Sequence, residues 1–218
     1  MYFESRAHAG QLLAAQMFEK YRFENCVVMA LSNGGILVGE QIAARLHCML
    51  TMLVSETIEV PGESINIGAV SQGGNFTFNS EFSQGEIDEY ASEFHGYFED
   101  QKRVAFNKIN RLIGDGGVLS EDLLKDHVVI LVSDGFNDGA VIGTAIDYLK
   151  PVRITKLVMA APVATIPAVD KLHVVADDLY ILDVKENFIS TDHYYDDNDI
   201  PSIEDSLAKI NQLILNWQ

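Results

Sequence analysis

The chain has little cysteine, few cations and no long apolar run, and each shortage removes a class of protein. Its two cysteines, Cys26 and Cys48, lie in apolar stretches without zinc-type spacing, so they read as reduced core residues and not as a disulfide framework. A cytoplasmic setting is the expectation. Nowhere do about 18 uncharged apolar residues follow one another, the length a bilayer crossing needs. The opening MYFESRAHAGQLLAAQ carries an early acid and no apolar run of the kind a secretory leader has. No membrane partner is expected.

Lys and Arg number 15 against 32 Asp and Glu, a net charge of −17. Proteins grip nucleic acid chiefly through cations on its phosphates, so nucleic acid is disfavoured as a partner. The distribution says more than the sum. Between Arg45 and Lys102 there is no Lys or Arg while ten acids occur, and 176–205 holds ten acids against Lys185 alone. An anionic ligand in these regions would have to be held by backbone dipoles, and most of the acids read as a solvated surface. A hydrophobic content of 48% over 218 residues is enough for one large core and predicts a single domain over 1–218.

What the chain does have is concentrated at 128–141, VVILVSDGFNDGAV. Val128–Val132 are five aliphatic residues in a row, as in a strand buried on both faces of a parallel sheet. Asp134 stands at its tip, Gly135 and Gly139 permit a tight turn, and Gly139–Leu149 reads as a helix with Ile142, Ala145, Ile146 and Leu149 on one stripe. Strand, glycine loop and helix start together form a cradle for anions, because free N–H groups and the positive end of the helix dipole converge there. An ordinary strand-to-helix turn would have the same pattern.

Elsewhere strands and helices alternate. A helix is predicted over 8–21, a buried strand over 26–31, a helix over 36–46 after Ser32-Asn33-Gly34-Gly35, and a third apolar run over 50–55. Turn residues fill 56–74, 75–79 reads as one arm of a hairpin, and 86–113 reads as one long helix interrupted only by Gly96. Its aromatic stripe suits a core or a dimer contact. A strand is predicted over 154–160, with Pro162-Val163-Ala164 turning away from it, then a short strand over 179–183 and a closing helix over 203–217. The six histidines fall on separate elements without metal spacing. The segment His193-Tyr194-Tyr195-Asp196-Asp197 is suited either to roofing the strand ends as a hood or to packing as a loop on the sheet edge. The class is α/β, a doubly wound and mainly parallel sheet that binds ligands at its carboxyl rim. A hairpin plus long-helix excursion is expected at about 56–113 and a small hood at about 183–202.

Six segments in order resemble the type I phosphoribosyltransferases, and within them a bacterial branch of mostly unassigned substrate. Phe3 to Leu13, FESRAHAGQLL, is similar to the branch's opening F-x-D-R-x-x-A-G-x-x-L, and Ala30 to Gly39 to its L-P-R-G-G-V-x-V pyrophosphate loop. Ile67 to Val70 resembles its I-G-A-V strand, Val128 to Val141 its PRPP signature V-I-L-V-D-D-G-I-A-T-G-A-T, Ala160 to Ala164 its A-V-P-V-A, and Tyr194 to Asp199 its W-Y-x-D-F segment. The resemblance implies a type I phosphoribosyltransferase fold and a homodimer. It also implies Asp134 as the second ribose acid, a phosphate loop of Gly135, Phe136, Asn137, Asp138, Gly139, Ala140 and Val141, and a pyrophosphate turn of Asn33, Gly34 and Gly35.

The sequence departs from that pattern at its charged and hydroxyl positions. Ser133 replaces the first ribose acid, Asp138 and Val141 stand where phosphate-binding threonines belong, Asn33 replaces the loop arginine, and the family's basic pair falls near Glu56-Thr57. A carboxylate about 5 Å from a phosphate is repelled by roughly 3 kcal/mol per unit charge at an effective dielectric of about 20, about two orders of magnitude in affinity. The expected function is therefore a phosphoribosyltransferase-like protein with a degenerate PRPP loop, catalytically impaired and acting as a binding or regulatory homologue of unknown small-molecule ligand. The alternative is an active enzyme that transfers ribose 5-phosphate from PRPP to an acceptor such as a nucleobase. That enzyme would need Mg2+, with Asp134 and Asp138 as candidate ligands; otherwise no cofactor is expected.

Overall fold

The structure is a computed structural model and describes residues 1–113, 121–137 and 139–215. The chain divides into two compact units, one of 1–52, 119–137 and 153–218, the other of 53–118 and 138–152. The expected excursion at 56–113 falls in the second unit, which also takes 138–152.

The first unit is built on five parallel strands, β1 (Cys26–Ala30), β2 (Met49–Met52), β6 (Val128–Val132), β7 (Lys156–Thr165) and β8 (Asp178–Lys185). They form one sheet in the order β2-β1-β6-β7-β8, so the α/β class read from the alternation holds. Every residue of β1 and β6 is buried, as their unbroken aliphatic runs predict for strands covered on both faces. Even-numbered Val28, Ala30, Ile130, Val132, Val158 and Ala160 point into one apolar cluster with helices α1 (Arg6–Tyr21) and α2 (Asn33–Leu46), to which Ile210 of α7 (Ile203–Leu215) is added. Leu13, Met17 and Tyr21 are the inward stripe of α1, while Leu12 is exposed. Helix α6 (Ile166–Val175) packs against β7 and β8. Strand β8 forms one edge, and all its residues are at least partly exposed.

Two local readings are corrected in this unit. Helix α2 begins at Asn33 and takes the glycine pair into its first turn, because the Ser32 side chain caps it by accepting from the Gly35 N–H at 2.9 Å. Strand β7 does not turn away at Pro162 but runs on to Thr165; its ladder with β6 ends at Val132↔Ala160 and pairing resumes between Phe136 and Val163–Thr165, so the proline sits in the gap between the two.

The second unit holds three antiparallel strands, β3 (Ser55–Glu59), β4 (Asn66–Ser71) and β5 (Phe76–Phe78), with β4 in the middle. With them are α3 (Gln84–Glu93), α4 (His95–Ile113) and α5 (Gly139–Leu149). The hairpin arm expected at 75–79 is β5. The helix expected over 86–113 is two helices, parted at Phe94, whose φ of −110° and ψ of 24° leave helical geometry, and not at Gly96. Phe94 stays bound to both pieces, donating from its N–H to Tyr90 O and accepting from the Phe98 N–H. Along α4, Ile109 is buried and Val104 is exposed. Helix α5 keeps its predicted bounds and buries Ile142, Ala145 and Leu149; it packs on β4 and β5, with Asp147 accepting from the Thr77 hydroxyl at 2.8 Å.

Both cysteines are free, and burial pushes the Cys26 thiol up to about 11 and the Cys48 thiol up to about 12. At pH 8 the native thiols should alkylate more slowly than those of the unfolded chain, by about 100-fold at Cys26 and about 1000-fold at Cys48, because only the thiolate attacks. Mass-spectrometric timing of iodoacetamide uptake tests this. Equal rates in native and unfolded protein would contradict the burial described.

Candidate functional site

The carboxyl ends of β1 and β6 bring Ser32 and Asp134 together on the rim of the first unit. The Asp134 side chain is 10% exposed, and each of its oxygens already has a protein donor: the Ser32 hydroxyl at 2.6 Å on Oδ1 and Arg6 Nε at 2.7 Å on Oδ2. Arg6 opens α1, and its side chain is only 1% exposed. Its remaining nitrogens reach a segment that follows β8: one donates to Asn198 Oδ1 at 3.0 Å, the other to an Asp192 oxygen. Tyr195 completes the enclosure, its ring centroid 4.3 Å from the guanidinium carbon and its phenol donating to the Asp134 carbonyl at 2.5 Å. Burial and the neighbouring Asp134 carboxylate raise the phenol well above the ordinary tyrosine range, so it acts as a donor.

The glycines explain how the groups come so close. A Cβ built on Gly34 would lie 2.0 Å from Asp134 Oδ2 and 2.6 Å from Arg6 Nε, so the first turn of α2 can touch the ion pair only without a side chain. A Cβ on Gly135 would meet the Thr191 hydroxyl oxygen at 2.8 Å, which places the segment after β8 directly on the loop after β6. Of the segment 183–202 expected as a hood, 183–185 belong to β8, while Thr191 and Tyr195 lie against the β6 tip. Backbone pairing of Phe3 with Tyr194 and Asp196, and of Glu4 with Asp197, ties residues near the start of the chain to this segment.

The expected phosphate loop meets a different fate residue by residue. The Gly135 N–H donates to Ser133 Oγ at 3.2 Å. Phe136 is 2% exposed, and its N–H and carbonyl are spent on Val163 and Thr165 of β7. Asn137 is exposed. Asp138 lies outside the described residues, while Gly139, Ala140 and Val141 open α5 in the second unit. Asn33, Gly34 and Gly35 form the first turn of α2; the Asn33 Oδ1 atom is buried without a partner among the described residues.

Does Asp134 suit magnesium? The guanidinium beside it argues against it. A dication on the same carboxylate, about 4.5 Å from that charge, would be repelled by roughly 7 kcal/mol at an effective dielectric of about 20, and Ser133 offers a hydroxyl that already donates to the Gly135 carbonyl at 2.8 Å. Among the described residues no cluster of three or more His, Cys, Asp or Glu is grouped as a metal site.

No family model matches the chain. Among solved structures it is similar to the TT1426 protein from Thermus thermophilus, at 25% identity and a TM-score of 0.72 over 97% of this chain and 99% of that one. Phosphoribosyltransferases are also among its structural neighbours. A purine phosphoribosyltransferase from Pyrococcus horikoshii matches at 13% identity and a TM-score of 0.48, over 90% of this chain and 92% of its own. A hypoxanthine phosphoribosyltransferase from Staphylococcus aureus matches at 12% and 0.48, over 85% and 76%. At that distance the two enzymes carry no argument about this site. The TT1426 likeness spans the chain from end to end and supports the fold.

Ser32 belongs to the Ser32–Gly35 turn expected on the rim, whereas Arg6, Asp192 and Asn198 have no role assigned from the sequence. Arg6 lies inside the FESRAHAGQLL segment, where its being the one cation before Lys20 was the available signal. Among the described residues no helix is long and apolar enough to cross a membrane.

Proposed function

We propose that the chain is a phosphoribosyltransferase-like protein whose PRPP site has been turned into an internal ion-pair cluster, and that it serves as a binding or regulatory homologue without transferase activity. The carrying observation is the engagement of Asp134: the one family acid left at this position has both oxygens held by Arg6 and Ser32. Family chemistry needs that carboxylate for the ribose hydroxyls. The amides of Gly135 and Phe136 add support, since both are bonded within the protein instead of facing a phosphate. A homodimer, a cytoplasmic setting and an unidentified small-molecule ligand belong to the same reading.

Thermal melting in PRPP and Mg2+ is the test. A ligand at 100 times its Kd adds about 2.7 kcal/mol of stability, so a transferase should melt visibly higher. The expected outcome is an unchanged melting temperature up to millimolar PRPP. A rise that disappears in Asp134→Asn would establish the alternative, a working magnesium-dependent enzyme.

A further inference from the structure

We propose that Arg6 is an anion seat filled in cis by the hood's own Asp192, and that a carboxylate-bearing small molecule takes the same seat when Asp192 leaves it. The two partners of the guanidinium are held very differently. Asp134 is buried with Arg6 and fixes its plane through Nε, whereas the Asp192 side chain is 60% exposed although the arginine it meets is 1% exposed. A solvated carboxylate on a buried guanidinium is the replaceable member of the cluster, because it regains water when it moves while Arg6 regains none.

The surroundings define the class of ligand. Arg6 and Asp134 together are neutral, so one further negative charge matches what Asp192 now supplies; a dianionic phosphate would leave an extra charge beside the buried Asp134 carboxylate. The terminal nitrogen not held by Asp192 donates to Asn198 Oδ1 and the Tyr195 ring covers one face, which leaves the edge at Asp192 as the approach for a planar carboxylate. Asp192 opens a single 3-10 turn whose Tyr194 is buried and paired with Phe3, so the edge of Arg6 is vacated by rotation of the Asp192 side chain alone, with the backbone of the turn in place.

Chemical rescue tests the seat, with formate as the probe. Asp192→Ala, melted in sodium formate and in sodium chloride at equal ionic strength, should be stabilised by formate by about 2 °C or more, while the unmodified protein, whose seat is filled, shows no formate-specific rise. Adding Arg6→Lys to Asp192→Ala keeps a charge for Asp134 but removes the fork, and should abolish the response. Phosphate should give less than half the rise given by formate. Equal melting of Asp192→Ala in the two salts, or a formate response that survives Arg6→Lys, overturns the proposal. Asp192→Ser provides a second background with the same expectations should the alanine variant fail to fold. Because this inference concerns Asp192 and the PRPP reading concerns Asp134, a failed formate rescue leaves that reading standing.

Discussion

Arg6→Met should lower the melting temperature by about 10 °C, the largest loss expected from one side chain in the cluster. Methionine keeps much of the packing volume but leaves the Asp134 carboxylate enclosed without its cation, and breaking a buried pair from one side costs about 3–5 kcal/mol. In a chain of this size each kcal/mol is worth about 2–4 °C. The cause is separable by a second change. Arg6→Met with Asp134→Asn removes the uncompensated charge and should recover more than half of the loss, since a neutral amide at 134 can still accept from Ser32, which now lies 2.6 Å from Oδ1. Calorimetric melting of the two single variants and the double variant measures the coupling. A loss of under about 1 kcal/mol in Arg6→Met, or no recovery in the double variant, would mean that the ion pair does not organise the rim.

Gly34→Ala is the second large effect, and it arises from space alone. The added methyl would sit 2.0 Å from Asp134 Oδ2 and 2.5 Å from its Cγ, distances that atoms cannot share, so either α2 shifts or Asp134 leaves Arg6. Overpacking costs about 1–3 kcal/mol, and losing the buried pair raises the total to about 4 kcal/mol. Alanine is otherwise a better helix former than glycine by about 1 kcal/mol, so a propensity argument predicts the opposite sign. The outcome therefore decides between the two. Chemical denaturation of Gly34→Ala should show a marked drop in midpoint, and the drop should shrink in an Asp134→Ala background, where the colliding carboxylate is gone. A midpoint equal to or above that of the unmodified chain would refute the close approach.

Local pattern accounts for most of what the sequence revealed. The aliphatic runs 128–132 and 26–30 became fully buried parallel strands, and the stripe Ile142, Ala145 and Leu149 became the inner face of α5, because burial on a regular element repeats at the period of that element. The failures are equally physical. The 86–113 pattern keeps helical spacing through Phe94, yet the chain breaks there; periodicity registers which residues share a face and not a change of axis between two helices. Pro162 signals a turn only if a ladder bond is needed from its position, and it falls in the gap between the β6 ladder and the Phe136 bridge.

The site was legible by half. Asp134 at a strand tip and glycines at 34 and 35 could be placed from the sequence, since strand ends and tight approaches have local signatures. Its partners could not. Arg6 lies 128 positions from Asp134 and 186 from Asp192, and no spacing rule links a cation on the first helix to a carboxylate just past the end of a central strand. The repulsion expected in the loop rests on Asp138, which lies outside the described residues; Asp134, by contrast, is paired with Arg6, a cation that the uneven charge distribution did not expose.

Strand β8 carries a consequence for handling the protein in acid. As a sheet margin without a neighbouring strand on one side among the described residues it invites strand-to-strand association, and its charged positions Asp178, Asp183 and Lys185 are the deterrent. Burial opposes ionisation of the two aspartates, but hydrogen bonds from Lys20 and Tyr21 to Asp178, and from Lys185 and the terminal amine to Asp183, outweigh it and hold both below the usual carboxylate range. Protonation therefore begins later on the way down in pH than it would for free aspartate, about 3.9. The share of the guard that the two aspartates supply persists into acidity that silences ordinary surface carboxylates, and beneath it the charge on this margin is that of Lys185 alone.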